Sequence, residues 1–160
     1  MIEIKPYSAG DAGPLLDLAR ELQGFEAVLY ERMKPASDIG PWYLDLLKQY
    51  CQKDDGTILM AWESGRAIGY ATIFTNVVED GSREELPHSL AKVGDLVVTE
   101  AARGRGIARK LLEECERLAR IAGRDEIRIS VLARNRHAHD VYWGAGFEDH
   151  HISMRKRLSP

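Results

Sequence analysis

The sequence predicts an α/β fold, a mixed sheet carrying helices on its faces, and three observations point to it. Short β-prone runs and amphipathic helical runs follow one another in the order β-α-α-β-β-β-α-β-α-β. Two β-prone runs, residues 57–62 and 67–77, are joined by Glu63-Ser64-Gly65-Arg66, a hairpin signal in which Gly65 can take a positive φ. A third run, residues 93–98, passes through a tight polar loop into the best helix in the chain. The 160 residues carry no internal repeat or long linker, so residues 1–160 are expected to form a single domain with a real hydrophobic core.

The elements can be justified in order. Residues 2–5 alternate and stop at Pro6, which predicts a short first strand. Ser8 or Asp11 can cap a helix running through Leu15, Leu16, Leu18, Ala19 and Leu22, with Gly24 near its end. Residues 25–40 read as irregular, and a second helix follows Pro41 with Trp42, Leu44, Leu47 and Cys51 on its apolar face. After the hairpin, the polar and acidic residues 80–89 are expected to be a loop. The helix over 106–122 places Ile107, Leu111, Leu112, Cys115, Leu118 and Ala119 on one side and charges on the other, and Gly123 stops it. Residues 126–131 predict a buried strand, 136–143 a short helix and 149–157 a final strand.

Composition excludes several function classes. A net charge of −3 with a pI near 6.0 favours neither nucleic acid nor an anionic membrane as a partner. No run approaches a membrane span, and the first residues lack a basic and an apolar leader region, so a cytoplasmic protein is expected. Cys51 and Cys115 share no motif and read as buried reduced thiols. The charge is uneven: residues 103–109 and 117–136 are rich in arginine and residues 79–85 are acidic. A mildly acidic chain with one basic segment suits a small anionic ligand better than a polyanion. Neither histidine pair, His137 with His139 or His150 with His151, has zinc-ligand spacing, so no metal is expected.

The loop after the third run carries the strongest chemical signal. In Arg103-Gly104-Arg105-Gly106-Ile107-Ala108, two glycines let the backbone approach a ligand closely. The first helical turn then presents unpaired N–H groups, backed by the positive end of the helix dipole. Arg103, Arg105 and Arg109 add positive charge, and together these features suit a pyrophosphate. A P-loop needs Lys-Ser or Lys-Thr after its glycine, and a dinucleotide fingerprint needs Gly or Ala where Arg109 stands. Without a second motif, an arginine-rich turn capping a surface helix would read the same way.

The second motif lies downstream. Asn135 stands at a helix entrance, where it can cap or reach a ligand; Ala138 and Tyr142 share one helical face; Gly146-Phe147 turns the chain away. Arg103-x-x-Gly106-x-Ala108 followed by Asn135-x-x-Ala138-x-x-x-Tyr142-x-x-x-Gly146-Phe147 resembles the paired motifs of the GNAT superfamily of N-acetyltransferases. The resemblance is firm over residues 57–157, and the N-terminal part agrees in its strand-helix-helix layout.

That resemblance implies a mixed central sheet of about six to seven strands with a V-shaped splay, flanked by about four helices. It implies acetyl-coenzyme A as cosubstrate, with no metal. Backbone groups of Leu96, Val97 and Val98 would hold the pantetheine arm and the thioester carbonyl. Amides from Gly104 through Arg105, Gly106, Ile107, Ala108 and Arg109 would hold the pyrophosphate. Asn135 would bind the pantetheine side, with Ala138 on the same helical face as Tyr142, which would stand near the sulfur as general acid. The implied reaction is direct attack of a primary amine on the thioester, the amine belonging to a small molecule or a protein. The base is open: polyamine-type members often have Glu where this chain has Gly94, Asp95 is a base or water-positioning candidate, and Glu79, Glu84 and His88 are alternatives. Phe25, Tyr30, Trp42 and Tyr43 are candidates for the acceptor pocket, and the acidic loop could attract a cation. An acyl-coenzyme A sensor without turnover is the alternative function; transfer of a longer acyl chain is a third. A homodimer is possible by resemblance alone.

Overall fold

The computed structural model describes residues 1–159. Its elements are β1 (Ile2–Pro6), α1 (Ala12–Leu29), α2 (Pro41–Lys53), β2 (Gly56–Glu63), β3 (Arg66–Glu79), β4 (His88–Val98), α3 (Ile107–Ile121), β5 (Ile127–Ile129) and α4 (Arg136–Gly144). Three short 3-10 turns, at Ala9–Asp11, Ala36–Asp38 and Glu100–Ala102, join them. One mixed sheet runs in the order β1-β2-β3-β4-β5, antiparallel throughout except for the parallel β4–β5 pair. No helix among the described residues is long and apolar enough to cross a membrane.

Strand alternation divides the core into two layers. Leu59, Ala61, Ala71 and Ile73 face α3, whose Ile107, Leu111, Leu112, Cys115 and Ala119 are buried against them. Ile58, Met60 and Tyr70 face the other way, against Leu15, Leu18 and Ala19 of α1 and Leu44 and Leu47 of α2. The helices therefore cover both faces, as the amphipathic stripes require. The β2–β3 turn places Ser64 at φ 49° and Gly65 at φ 76°, the paired positive values of a tight hairpin turn.

Three expectations are corrected. Helix α1 does not end near Gly24 but continues to Leu29, so residues 25–29 are helical. A lone helical glycine costs only about 1 kcal/mol, and at Gly24 a Cβ would stand 3.6 Å from that of Ala36, where α1 packs against the following turn. The acidic loop is shorter than expected, because His88 and Ser89 pair with Glu79 and Val78 and open β4. Residues 149–157 form no strand, which leaves five strands among the described residues rather than six to seven. That segment is exposed and is held by ion pairs from Arg155 and Arg157 to Glu31, just beyond the end of α1.

Candidate active site

The site is built where β4 and β5 part. The two strands pair only over Ala91–Ile127, Lys92–Arg128 and Val93–Ile129; β4 then runs on to Val98 while the strand character of β5 ends. The gap is a cleft of about 420 Å³, with residues 94–98 on one wall and 130–132 on the other. The turn at 102–109, α4 and Leu22, Phe25 and Glu26 of α1 complete its lining.

A β-bulge sets what faces the cleft. Ala71 pairs with Leu96 but Ile73 pairs with Val93, so β4 carries one more residue than β3 across this step. Before the bulge, Ala91 and Val93 point to the α3 layer; beyond it, Leu96 and Val98 do, and Val97 turns to the α1–α2 layer. The inversion is pinned by Thr72, fully buried, whose Oγ1 accepts the Asp95 N–H at 2.8 Å. Gly94 is required there, since a Cβ would lie 2.5 Å from that same Oγ1 and 2.8 Å from Phe74 Cε2. No acidic side chain fits this position unless the bulge is rebuilt.

The bulge carries Asp95 to the cleft. Its Oδ2 accepts the phenol hydrogens of Tyr43 at 2.6 Å and Tyr70 at 2.7 Å. Burial pushes the Asp95 carboxyl up from its usual range, and the two phenol donors oppose that shift. Both phenols are raised in turn, chiefly by burial and then by the Asp95 charge. Tyr43 and Tyr70 thus hold Asp95 in one orientation. Glu79 and His88 face each other at the opposite end of the β3–β4 pair, and Glu84 lies in the exposed loop beyond; none of the three borders the cleft.

The turn at 102–109 has the geometry of an anion cradle. Gly104 and Gly106 adopt φ 73° and 77°, and a Cβ at either would meet no atom within 4 Å. Gly106 caps α3 in a left-handed conformation with no side chain satisfying the first turn, whose N–H groups have no intrahelical acceptor. The residues present therefore fit a pyrophosphate. Arg103 and Arg109 border the cleft; Arg103 Nε donates to the Val98 carbonyl at 3.0 Å, and its guanidinium stacks on Phe25. Arg105 turns away to form a paired contact with Glu63, at 2.6 and 2.8 Å, so its contribution to the cradle is backbone alone.

On α4, the Asn135 side chain caps the helix by accepting the Ala138 N–H at 3.2 Å, and Asn135, Ala138 and Tyr142 all border the cleft. Tyr142 is half-buried, packed toward Phe147 with ring centroids 6.2 Å apart. Its phenol is pushed up to about 12 by burial, with a smaller push from the charge of Glu26. Of the candidate pocket aromatics, Phe25 lines the cleft and Tyr43 holds Asp95. Trp42 is exposed beside Lys34, and Tyr30 lies beneath Arg155. His139 is engaged with Asp149 at 2.7 Å and stacked on Trp143. Among the described residues, no group of three or more His, Cys, Asp or Glu converges.

Two site residues escape the sequence reading. Tyr70 sits in a strand where an aromatic reads as core. Glu26 falls in a stretch that reads as irregular from the sequence; because α1 runs past Gly24, Leu22 and Glu26 share one helical face, and both border the cleft.

A mixed sheet with parted parallel strands, an anion cradle at a helix start and a phenol across the gap defines a coenzyme A-type acyltransferase scaffold. A profile of the Acetyltransferase (GNAT) family matches residues 17–147, and the chain belongs to that family. An uncharacterised N-acetyltransferase of Methanocaldococcus jannaschii is 23% identical over 150 residues, 93% of this chain, which spans 62% of that relative's length. Among solved structures, a mutant Bacillus halodurans protein superposes with a TM-score of 0.87 at 18% identity, over 98% of this chain and 99% of that one. AAC(6')-Iy, in complex with the bisubstrate analogue CoA-S-monomethyl-acetylneamine, superposes at 0.73 with 19% identity over 99% of each chain. An aminoglycoside 6'-N-acetyltransferase of Acinetobacter haemolyticus does so at 0.71 with 17% identity, over 98% and 99%. At these identities the structural likeness bears on the fold alone, and the family match is what places the chain among the acetyltransferases.

Proposed function

We propose that this chain transfers acetyl from acetyl-coenzyme A to a primary amine by direct attack. The observation that carries the reading is one continuous cleft bordered by both the glycine cradle at 104–106 and the Tyr142 phenol. The pyrophosphate lies on the cradle and the first turn of α3, and the pantetheine arm runs between Leu96–Val98 and Asn135. The thioester then reaches Tyr142. A backbone N–H of β4 stabilises the oxyanion as the amine attacks, and Tyr142 protonates the departing thiolate. Its raised pKa keeps the phenol protonated at neutral pH. Asp95, held by two phenols, orients a water or the amine. We assign the whole of residues 1–160 to this one domain and the protein to the cytoplasm, in keeping with its two free cysteines.

The test is release of free thiol from acetyl-coenzyme A by the purified protein across a panel of amines. Amine-dependent release supports the reading. Saturable coenzyme A binding without release across the panel supports the sensor instead.

A further inference from the structure

The proton that the attacking amine must lose has no acceptor in the motifs themselves. An ammonium has no lone pair, and an alkylamine with a pKa near that of lysine, about 10.4, is almost wholly protonated at neutral pH. Asp95 already takes two phenol hydrogens on one oxygen, and Gly94 has no side chain. Glu79, Glu84 and His88 are outside the cleft. Two further carboxylates border it, Glu26 of α1 and Asp140 of α4, and of the two Asp140 is exposed and Glu26 half-buried.

Glu26 lies on the last turn of α1, half-buried, and lines the cleft together with Asp95 of β4 and Tyr142 of α4. Among the described residues its carboxylate has no hydrogen-bond or ion-pair partner, whereas Glu21, Glu31, Glu63 and Glu126 are each tied to an arginine. Helix α1 is itself fastened to the end of β4, since Glu21 accepts the Thr99 hydroxyl at 2.8 Å and the Glu100 N–H at 2.6 Å. Those contacts lie about one turn before Glu26 and fix its height over the cleft. We propose that Glu26 is the general base, and that with Asp95 it selects acceptors that arrive as a cationic primary amine.

The inference rests on the acetyltransferase reading and deepens it. The ammonium gives one proton to Glu26, and the freed lone pair forms the C–N bond at the thioester carbonyl. Collapse of the tetrahedral intermediate breaks the C–S bond, and the thiolate takes the Tyr142 proton. The second N–H proton, shed in the collapse, restores the phenol, and Glu26 returns its proton to solvent. One amide, one thiol and one proton leave for each ammonium and thioester consumed. Burial, with a further push from the Asp95 charge, raises the Glu26 carboxyl above its ordinary value, which strengthens it as a base. The other titratable groups facing it are Tyr43 from α2, Asp95 from β4 and Tyr142 from α4, with Arg103 at the cradle and His137 and Asp140 further along α4.

The experiment compares wild type, Glu26→Gln and Glu26→Asp across pH, using the aliphatic amine that wild type acetylates fastest. Circular dichroism and coenzyme A binding by calorimetry serve as folding controls. Glu26→Gln is expected to lose roughly 10²- to 10³-fold in kcat/KM at neutral pH, within the range for a general base. The deficit should shrink as pH approaches the amine's own pKa, with coenzyme A affinity unchanged. Glu26→Asp should recover part of the rate. Wild-type turnover with an unaltered Glu26→Gln pH profile overturns the Glu26 assignment and leaves the acetyltransferase reading intact. Absence of wild-type turnover with every amine overturns both. Should Glu26→Gln fail to fold, a Glu26→Asp variant that keeps the full rate and profile despite its shorter side chain also overturns the assignment.

Discussion

Replacing Gly94 with alanine tests the bulge that presents Asp95. The added methyl would stand 2.5 Å from Thr72 Oγ1 and 2.8 Å from Phe74 Cε2, both closer than any relaxed contact allows. Thr72 is fully buried and cannot swing into solvent, and Phe74 is packed edge-on to Tyr50 with ring centroids 6.2 Å apart. Overpacking of this kind costs about 1–3 kcal/mol. If Thr72 rotates to escape, the Asp95 N–H loses its 2.8 Å acceptor, a further loss of about 1 kcal/mol. A total of roughly 2–4 kcal/mol, at about 2–4 °C per kcal/mol for a domain of this size, lowers Tm by about 5–15 °C. Thermal unfolding followed by circular dichroism measures it. Turnover should fall more than coenzyme A affinity, because the bulge aims Asp95 whereas the cradle lies on the other side of Val98. An unchanged Tm together with unchanged turnover would refute the claim that Gly94 and Thr72 lock this register.

Three further outcomes follow from the site. Tyr142→Phe should lower kcat by about 10²-fold or more with coenzyme A affinity preserved, and the alkaline limb of the wild-type pH profile should lie near 12 rather than 10. The sign is that a raised phenol pKa keeps the acid protonated to higher pH; a limb near 10, or full activity of the phenylalanine variant, removes Tyr142 as the acid. Gly106→Glu places a side chain at φ 77° and a negative charge against the cradle, and calorimetry should detect no coenzyme A binding. Arg105→Ala should leave coenzyme A affinity nearly unchanged, because its guanidinium is held by Glu63; a tenfold loss would show that it leaves Glu63 for the phosphates.

The elements that could be read from the sequence are those whose signal is local. Helix α3 carries an uninterrupted apolar stripe, and the hairpin at 63–66 carries its glycine, so both lie where periodicity and turn chemistry put them. The turn before α3 is legible for the same reason, since two closely spaced glycines precede a helix start, and both take positive φ. What was not legible depends on partners distant in sequence. Whether Asp95 faces the cleft depends on a bulge opposite Thr72, 23 residues earlier, and simple alternation cannot register it. Gly24 reads as a stop because a glycine's cost is local, whereas the packing of α1 against residues 36–38 that offsets it is not. Residues 149–157 alternate like a strand, yet their arginines find Glu31 rather than a sheet edge. Glu26 was lost with the end of that same helix.

The central claim is that one cleft brings acetyl-coenzyme A and an amine together for direct transfer. Acetyl-coenzyme A with an isotopically labelled acetyl group, incubated with the protein and the amine panel, tests it by mass spectrometry of both products and protein. The account predicts labelled amide and free thiol in equal amounts, with no label on the protein. Bound coenzyme A with neither product, or label retained covalently on the chain, would contradict it.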